Sequence, residues 1–193
     1  MESFILKFPP DTQLSDEEFF QFCAANDPLR IERNSEGQIV IMSPSGSLTG
    51  NIHLKIYYTF SKWVTENENL GYGFDSSDGF KLPDQSVLVP DAAFIIKDRW
   101  ENLTAEQKEK FAPLTPDFVI EVRSKSDSLK QLKSKMEVWI LNGCRLAWLI
   151  DPIEKKVYVY KPNEESYTID SFHAHLNGET VLPGFELDLS RLL

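Results

Sequence analysis

Sulfur, histidine and positive charge are all scarce in this chain. Its 193 residues include two cysteines, Cys23 and Cys144, and three histidines. The cysteines stand far apart, with no CxxC and no Cys/His cluster, which argues against a zinc site and suits a reducing compartment. Both are expected to be small buried hydrophobes. Lysine and arginine number 20 against 30 aspartates and glutamates, a formal net charge of −10. That argues against a protein held on nucleic acid by charge alone, because phosphate contacts supply most non-specific affinity. Any nucleic-acid reading therefore needs a local basic surface. No apolar run approaches the roughly 18 residues that would span a membrane. The start, "MESFILKFPPD", lacks the basic head and long apolar stretch of a secretory signal, so a cytoplasmic protein is expected. There is no P-loop, GxGxxG or HExxH. No linker, repeat or low-complexity stretch interrupts the chain, so one domain over 1–193 with a sizeable core is expected.

What is present is a clear alternation of helical and strand patterns. "LSDEEFFQFCAAND" reads as a first helix, with Ser15 and Glu18 as its capping box and Pro28 beyond its far end. "RIER" and "QIVIMS" read as strands joined by the turn "NSEG". In "SLTGNIHLKIYYTFSKWVTENEN", Ile52, Ile56, Phe60 and Val64 recur at four-residue spacing, and Tyr57 and Trp63 widen the stripe of a long helix. "GYGFD" and "GFKLP" suggest short strands around a polar turn. "SVLVPDAAFII" and "DFVIEVRS" are nearly continuous apolar runs, as in central strands covered on both faces. "TAEQKEKF" carries a capping box in Thr104 and Gln107. "SDSLKQLKSKMEVWILNG" reads as a helix with Leu129, Leu132, Met136 and Trp139 or Ile140 inward, closed by Gly143. "RLAWLID" and "KKVYVYKP" form a hairpin, "ESYTI" a further edge, and "VLPGFELDLSRLL" packs back on the body. The order predicts an α/β fold with a mixed central β-sheet flanked by helices.

Two Pro-Asp pairs occur, Pro90-Asp91 and Pro116-Asp117. Carboxylates that share one Mg²⁺ must nearly touch, because its oxygen ligands sit about 2.0–2.1 Å away. Asp117 and Glu121 fall on one face of a strand but roughly 13 Å apart at about 3.3 Å per residue. They cannot share an ion, and Asp117 reads as a strand-start residue. Asp91 begins the other apolar strand. If that strand neighbours "FVIEV", Asp91 sits across from Glu121, about 4.8 Å away strand to strand. A charged group in such a strand is costly unless paired, metal-bound or at the rim. Structural salt bridges or rim exposure are the alternative reading of both.

Asp91, followed 30 positions later by "Glu121-Val122-Arg123", resembles the PD-(D/E)XK nuclease superfamily. The match is closer to one branch, the bacterial Uma-two family, classed with restriction endonucleases. It runs through nearly the whole chain: "IVIMSPSG", "FDSSDGFKLPD", "SVLVPDAAFI", "PDFVIEVRSKSDSL", "KMEVWILNG", "LAWLIDP" and "VLPGFELDLS". The order and spacing of these stretches are specific, although each is weak alone. The resemblance implies a restriction-endonuclease-like core and hydrolysis of phosphodiester bonds with Mg²⁺ or Mn²⁺. Asp91 and Glu121 would hold the metal, with the backbone carbonyl of Val122 as a third oxygen, and the metal would polarise the phosphate and ionise a water.

The superfamily pattern places a lysine two residues after the acid; here Arg123 stands there. Alternation puts it on the Glu121 face. Arginine stays protonated and makes a poor base, but can steady a phosphate, so Arg123 suits charge stabilisation. An ion pair with Glu121 or another acid is its structural alternative. Residues 123–137 hold five basic residues and two acidic ones, a local charge of +3 within a chain of −10. Lys125 lies in this run, and Lys135 lies in the "KM" of the Uma-two pattern. The resemblance points to Lys135 as the migrated cation; a solvated helix face is the competing reading. Asp75 and Asp78 in "FDSSDG" read as turn chemistry before metal ligation. Lys81 could touch a phosphate or end a solvated strand. His53 is a surface or capping histidine before it is a site residue.

The expected substrate is DNA, and cutting both strands of a duplex makes a homodimer the compatible assembly. The competing expectation is a catalytically inactive nuclease-like scaffold acting as a binding or regulatory protein. A retained acidic pair without the usual lysine is compatible with it.

Overall fold

The computed structural model describes residues 4–6, 13–27 and 29–193. Pro28, expected to bound the first helix, lies outside them. In chain order the elements are β1 (Phe4–Leu6), α1 (Asp16–Ala25), β2 (Ile31–Arg33), β3 (Ile39–Ile41), α2 (Ser47–Glu66), β4 (Gly71–Phe74), β5 (Phe80–Lys81), β6 (Val87–Leu88) and β7 (Ala92–Ile96). They continue as α3 (Lys97–Glu101), α4 (Ala105–Lys108), β8 (Phe118–Val122), α5 (Leu129–Leu141), β9 (Leu146–Asp151), β10 (Lys156–Tyr160), β11 (Tyr167–Ile169), β12 (His175–Asn177) and β13 (Glu186–Asp188). A 3₁₀ turn, Leu189–Leu192, follows.

Six strands form the main sheet, in the order β11-β10-β9-β8-β7-β4. β8 and β9 are parallel and the other neighbours antiparallel, so the sheet is mixed, as the sequence pattern predicts. α5 supplies the crossover between the parallel pair, which a hairpin turn cannot make. Alternation along the central strands builds two cores. Ala92, Phe94, Phe118, Ile120, Val122, Trp148 and Ile150 face α2 and the C-terminal segment. Ala93, Ile95, Val119, Ala147 and Leu149 face α5, where Leu132, Met136 and Trp139 meet them. A strand buried on both faces has no room for polar side chains except at its ends. The site lies at such an end.

A second, antiparallel sheet has the order β1-β3-β2-β6-β5. Its existence corrects one expectation. "SVLVPDAAFII" is not one strand. Pro90 divides it, so that β6 pairs with β2 in the second sheet while β7 pairs with β8 in the main one. Proline has no N–H to give a ladder, and the chain changes sheets where the ladder would break. Asp91 is therefore the first residue past the crossing. "GYGF" and "FK" likewise enter different sheets. The capping boxes at Ser15–Glu18 and Thr104–Gln107 form as expected, and Gly143 takes the left-handed φ of +105° that closes α5. Phe185, Leu187, Leu189 and Leu192 fold the tail back onto the α2-facing core.

Candidate functional site

The antiparallel register of β7 and β8 pairs Ala92 with Ile120, and one step further it sets Asp91 opposite Glu121. The Asp91 N–H donates to the Ile120 carbonyl at 3.0 Å, which continues the ladder to that point. Both acids are buried, at 5% and 2% exposure, in strands otherwise apolar. Each is held by a different set of partners. Asp91 Oδ2 accepts the Val122 N–H at 2.7 Å, and Oδ1 accepts from Arg30 Nη1 at 3.0 Å. Arg30 also donates to the Val89 carbonyl, and the Tyr57 hydroxyl donates to the Asp91 carbonyl at 2.9 Å. Glu121 Oε1 accepts from Lys135 Nζ at 2.8 Å and from the Trp139 indole N–H at 3.0 Å. Lys135 and Trp139 are one helical turn apart on α5, so one face of that helix delivers both donors.

A third carboxylate, which the sequence pattern does not single out, completes the group. Glu32 on β2 lies 2.7 Å from Lys135 Nζ and accepts the Val89 N–H at 2.8 Å. Lys135 also donates to the Val89 carbonyl at 2.9 Å. Its three N–H donors thus meet Glu32, Glu121 and a backbone oxygen. Three buried carboxylates, Glu32, Asp91 and Glu121, face two cations, Arg30 and Lys135. Burial pushes the Glu121 carboxyl up to about 7, with Lys135 opposing and Asp91 and Glu32 adding to the rise. Burial alone would lower the Lys135 ammonium, but Glu121 and Glu32 together raise it above its ordinary value. Both partners of one ion pair rise because Lys135 is shared between two acids, leaving Glu121 under-compensated. Burial likewise opposes the charge on Arg30, and Asp91, Glu121 and Glu32 outweigh it.

Arg123 goes elsewhere. Parallel register places it beside Asp151, and its Nη1 lies 2.8 Å from the fully buried Asp151 Oδ2. Its Nε reaches the Asp127 carbonyl at 3.5 Å. The structure therefore brings Lys135, and not Arg123, to Glu121. Lys125 is exposed. Val122 meets Asp91 through its N–H. Asp117 sits at the opposite end of β8, bound by Arg99 at 2.8 Å and by the Ile96 N–H. Asp75 accepts from the Ser77 N–H and hydroxyl, the turn role expected of it. Lys81 pairs with Asp16 at the far side of the second sheet. Cys144 is buried and Cys23 half-buried; burial raises their thiols to about 12 and about 11.

A cavity of about 270 Å³ opens between β2, β3 and α5, with Glu32 and Lys135 in its wall beside Met42, Ser86, Leu132 and Val138. It gives the Lys135 side of the acid group a route to solvent.

The model of the Uma2 family, described as "Putative restriction endonuclease", matches residues 16–190. The chain belongs to this family. The Uma2 match spans β2 to β13 and every residue of the acid group. No curated protein matches the chain. Among solved structures, a "putative nuclease belonging to DUF820" from Anabaena variabilis ATCC 29413 superposes with a TM-score of 0.72. It is 22% identical, and the alignment covers 93% of this chain and 97% of that one. At that identity the likeness establishes the shared fold.

The cofactor this family implies is a divalent cation. Among the described residues, no three His, Cys, Asp or Glu side chains are gathered closely enough to hold a metal as they stand. Glu121 Oε1 is taken up by Trp139 and Lys135. The donor chemistry fits nonetheless. Three carboxylates exceed their two cations, and a buried imidazole nitrogen, His53 Nε2, has no hydrogen-bond partner and lies 3.6 Å from Asp91 Oδ2. Among the described residues, no helix is long and apolar enough to cross a membrane.

Proposed function

We propose that this protein is a divalent-metal-dependent endonuclease that hydrolyses phosphodiester bonds in DNA. The observation that carries the reading is the register that sets Asp91 opposite Glu121 with Lys135 on Glu121. Asp91, Glu121 and the Val122 carbonyl would hold Mg²⁺ or Mn²⁺, with Glu32 as an outer acid that orients Lys135. The bound ion would supply Lewis-acid polarisation of the phosphate and a more acidic water. The chain's own residues do the rest. Arg30 and the Val122 N–H fix the Asp91 carboxylate, so its orientation needs no reorganisation when substrate arrives. Lys135 has the position, charge and burial to hold negative charge as the phosphorus–oxygen bond to water forms and the bond to the leaving sugar oxygen breaks. Arg123, bound to Asp151, stiffens the end of β8 and β9. Within the basic run, Arg123 and Lys135 are taken up by Asp151 and by Glu32 and Glu121, so the exposed Lys125 and Lys130 are the cations of this run left to meet a duplex. A homodimer would present two such sites to the two strands, and a cytoplasmic location suits the substrate.

One observation favours a second reading. Glu121 and Lys135 form a closed pair, and the acids are not gathered as a ready metal cage. A catalytically inactive scaffold serving as a binding or regulatory protein would look like this. Purified wild type and Asp91→Ala decide between them on supercoiled and linear DNA with Mg²⁺ or Mn²⁺. The nuclease reading expects cleavage by wild type and loss of at least about 100-fold in a folded D91A protein. Wild type that cuts no substrate with either metal supports the scaffold.

A further inference from the structure

His53 enters the site from a different element and a different face than the acids. It lies in the first half of α2, packed beside Tyr57 with ring centroids 5.9 Å apart. Its side chain is 13% exposed, and its Nε2 atom is buried without a hydrogen-bond partner. That nitrogen lies 3.6 Å from Asp91 Oδ2, which is too long for a hydrogen bond. A buried ring nitrogen left unpaired is costly, and folds rarely tolerate it without a use. Arg30 and the Val122 N–H already hold Asp91 from two other directions, so His53 is not needed to position it.

The spacing suits a shared ion. Two ligands bound to one metal at about 2.1 Å stand about 3.0 Å apart in adjacent octahedral positions and about 3.4 Å apart in a tetrahedron. The observed 3.6 Å is a few tenths of an ångström beyond that. Adding an imidazole nitrogen to carboxylate oxygens also changes which metal the site prefers. Mg²⁺ favours oxygen donors and retained waters, whereas Mn²⁺ and later first-row ions accept imidazole readily.

We propose that His53 Nε2 is a ligand of the metal bound by Asp91, and that this nitrogen makes the site select Mn²⁺ over Mg²⁺. The inference rests on the metal-dependent reading above, and goes beyond it by naming a fourth ligand and the metal class. It does not depend on DNA being cut.

The test is metal binding by the full-length protein with no nucleic acid present. Titration calorimetry with MnCl₂ and with MgCl₂ is run on wild type, His53→Ala, His53→Gln and Asp91→Ala, each checked for folding by circular dichroism. Pulsed EPR on the Mn²⁺-loaded wild type reads nitrogen coupling directly. The expected result is at least tenfold tighter binding of Mn²⁺ than of Mg²⁺. A ¹⁴N coupling should be present in wild type and absent from H53Q. Mn²⁺ affinity should fall at least tenfold in both His53 variants, with Mg²⁺ affinity changed less than threefold, and D91A should lose both metals. Mn²⁺ bound at Asp91 without nitrogen coupling, and unchanged in H53Q, overturns the role of His53 while leaving the metal site standing. Wild type that binds neither ion overturns both. Should the variants fail to fold, the wild-type EPR spectrum decides alone: nitrogen coupling upholds the ligand, and its absence overturns it.

Discussion

Lys135 Nζ lies 2.8 Å from Glu121 Oε1 and 2.7 Å from Glu32 Oε1, so a single ammonium from α5 ties the end of the central strand β8 in the main sheet to β2 of the second. Both acids are buried. Removing the ammonium leaves two carboxylates without their main counter-charge, a change that typically costs about 3–5 kcal/mol in a buried pair. Lys135→Met is expected to destabilise within that range by urea denaturation. Adding Glu32→Gln to it should recover part of the loss, because one stranded charge is gone. Additive losses in the double variant would show that the two side chains do not interact.

Arg123 makes the contrasting case. Its partner Asp151 is fully buried but also accepts the N–H groups of Ile153 and Glu154, so it keeps two donors when the guanidinium is removed. Arg123→Ala should therefore cost about 3 kcal/mol, the low end of the range for a broken buried pair. If the nuclease reading holds, kcat per folded molecule should fall less than tenfold in R123A, and at least about 100-fold in K135M. Equal losses in kcat would return Arg123 to the chemistry.

Glu121 gives the metal-free protein a pH signature. Its folded carboxyl is raised from an ordinary 4.5 to about 7. A raised pKa means that the folded state binds the proton more tightly than the unfolded chain. The associated stability is full below about 4.5 and is lost as pH rises through about 7. At about 1.4 kcal/mol per pH unit, the span corresponds to roughly 3 kcal/mol. Glu121→Gln cannot titrate. With chelator present, its stability relative to wild type should improve by up to about 3 kcal/mol between pH 4.5 and 8. Parallel profiles for the two proteins would mean that Glu121 is ionised throughout.

The two acids facing each other were legible because the sequence surrounds each with apolar residues, and because the 29 residues between them allow a return strand. Geometry alone separated Asp91 from Asp117. Lys135 was legible through local charge and family pattern, although its burial was not: an amphipathic helix places most lysines in water. Glu32 was not legible. "RIER" reads as a strand, and all three residues of β2 are buried in its place inside a second sheet, between β3 and β6. That sheet was itself hidden by the apolar look of "SVLVPDAAFII", in which Pro90 was the available signal. His53 sits in a helix whose apolar stripe passes beside it, and nothing local distinguishes a histidine aimed at Asp91 from one aimed at solvent. Pairings between distant segments decide such cases, and periodicity does not encode them.

Trp139 allows the electrostatic argument to be tested without touching a charge. Its indole N–H donates to Glu121 Oε1 at 3.0 Å from a fully buried ring. Trp139→Phe keeps most of the apolar bulk and removes the donor, leaving a cost from the smaller ring that does not depend on pH. A hydrogen bond to the ionised carboxylate favours that form, so losing it raises the Glu121 pKa further. The sign of the pH effect follows. Above about 7 wild-type Glu121 is ionised, and the bond is worth about 1.5–3 kcal/mol. At pH 5 Glu121 is protonated in both proteins, and the donor is worth less, about 1 kcal/mol. W139F should therefore be destabilised more at pH 8 than at pH 5 by about 1–2 kcal/mol in urea denaturation with chelator present. An equal loss at the two pH values would place the whole effect in packing and leave the indole without an electrostatic role.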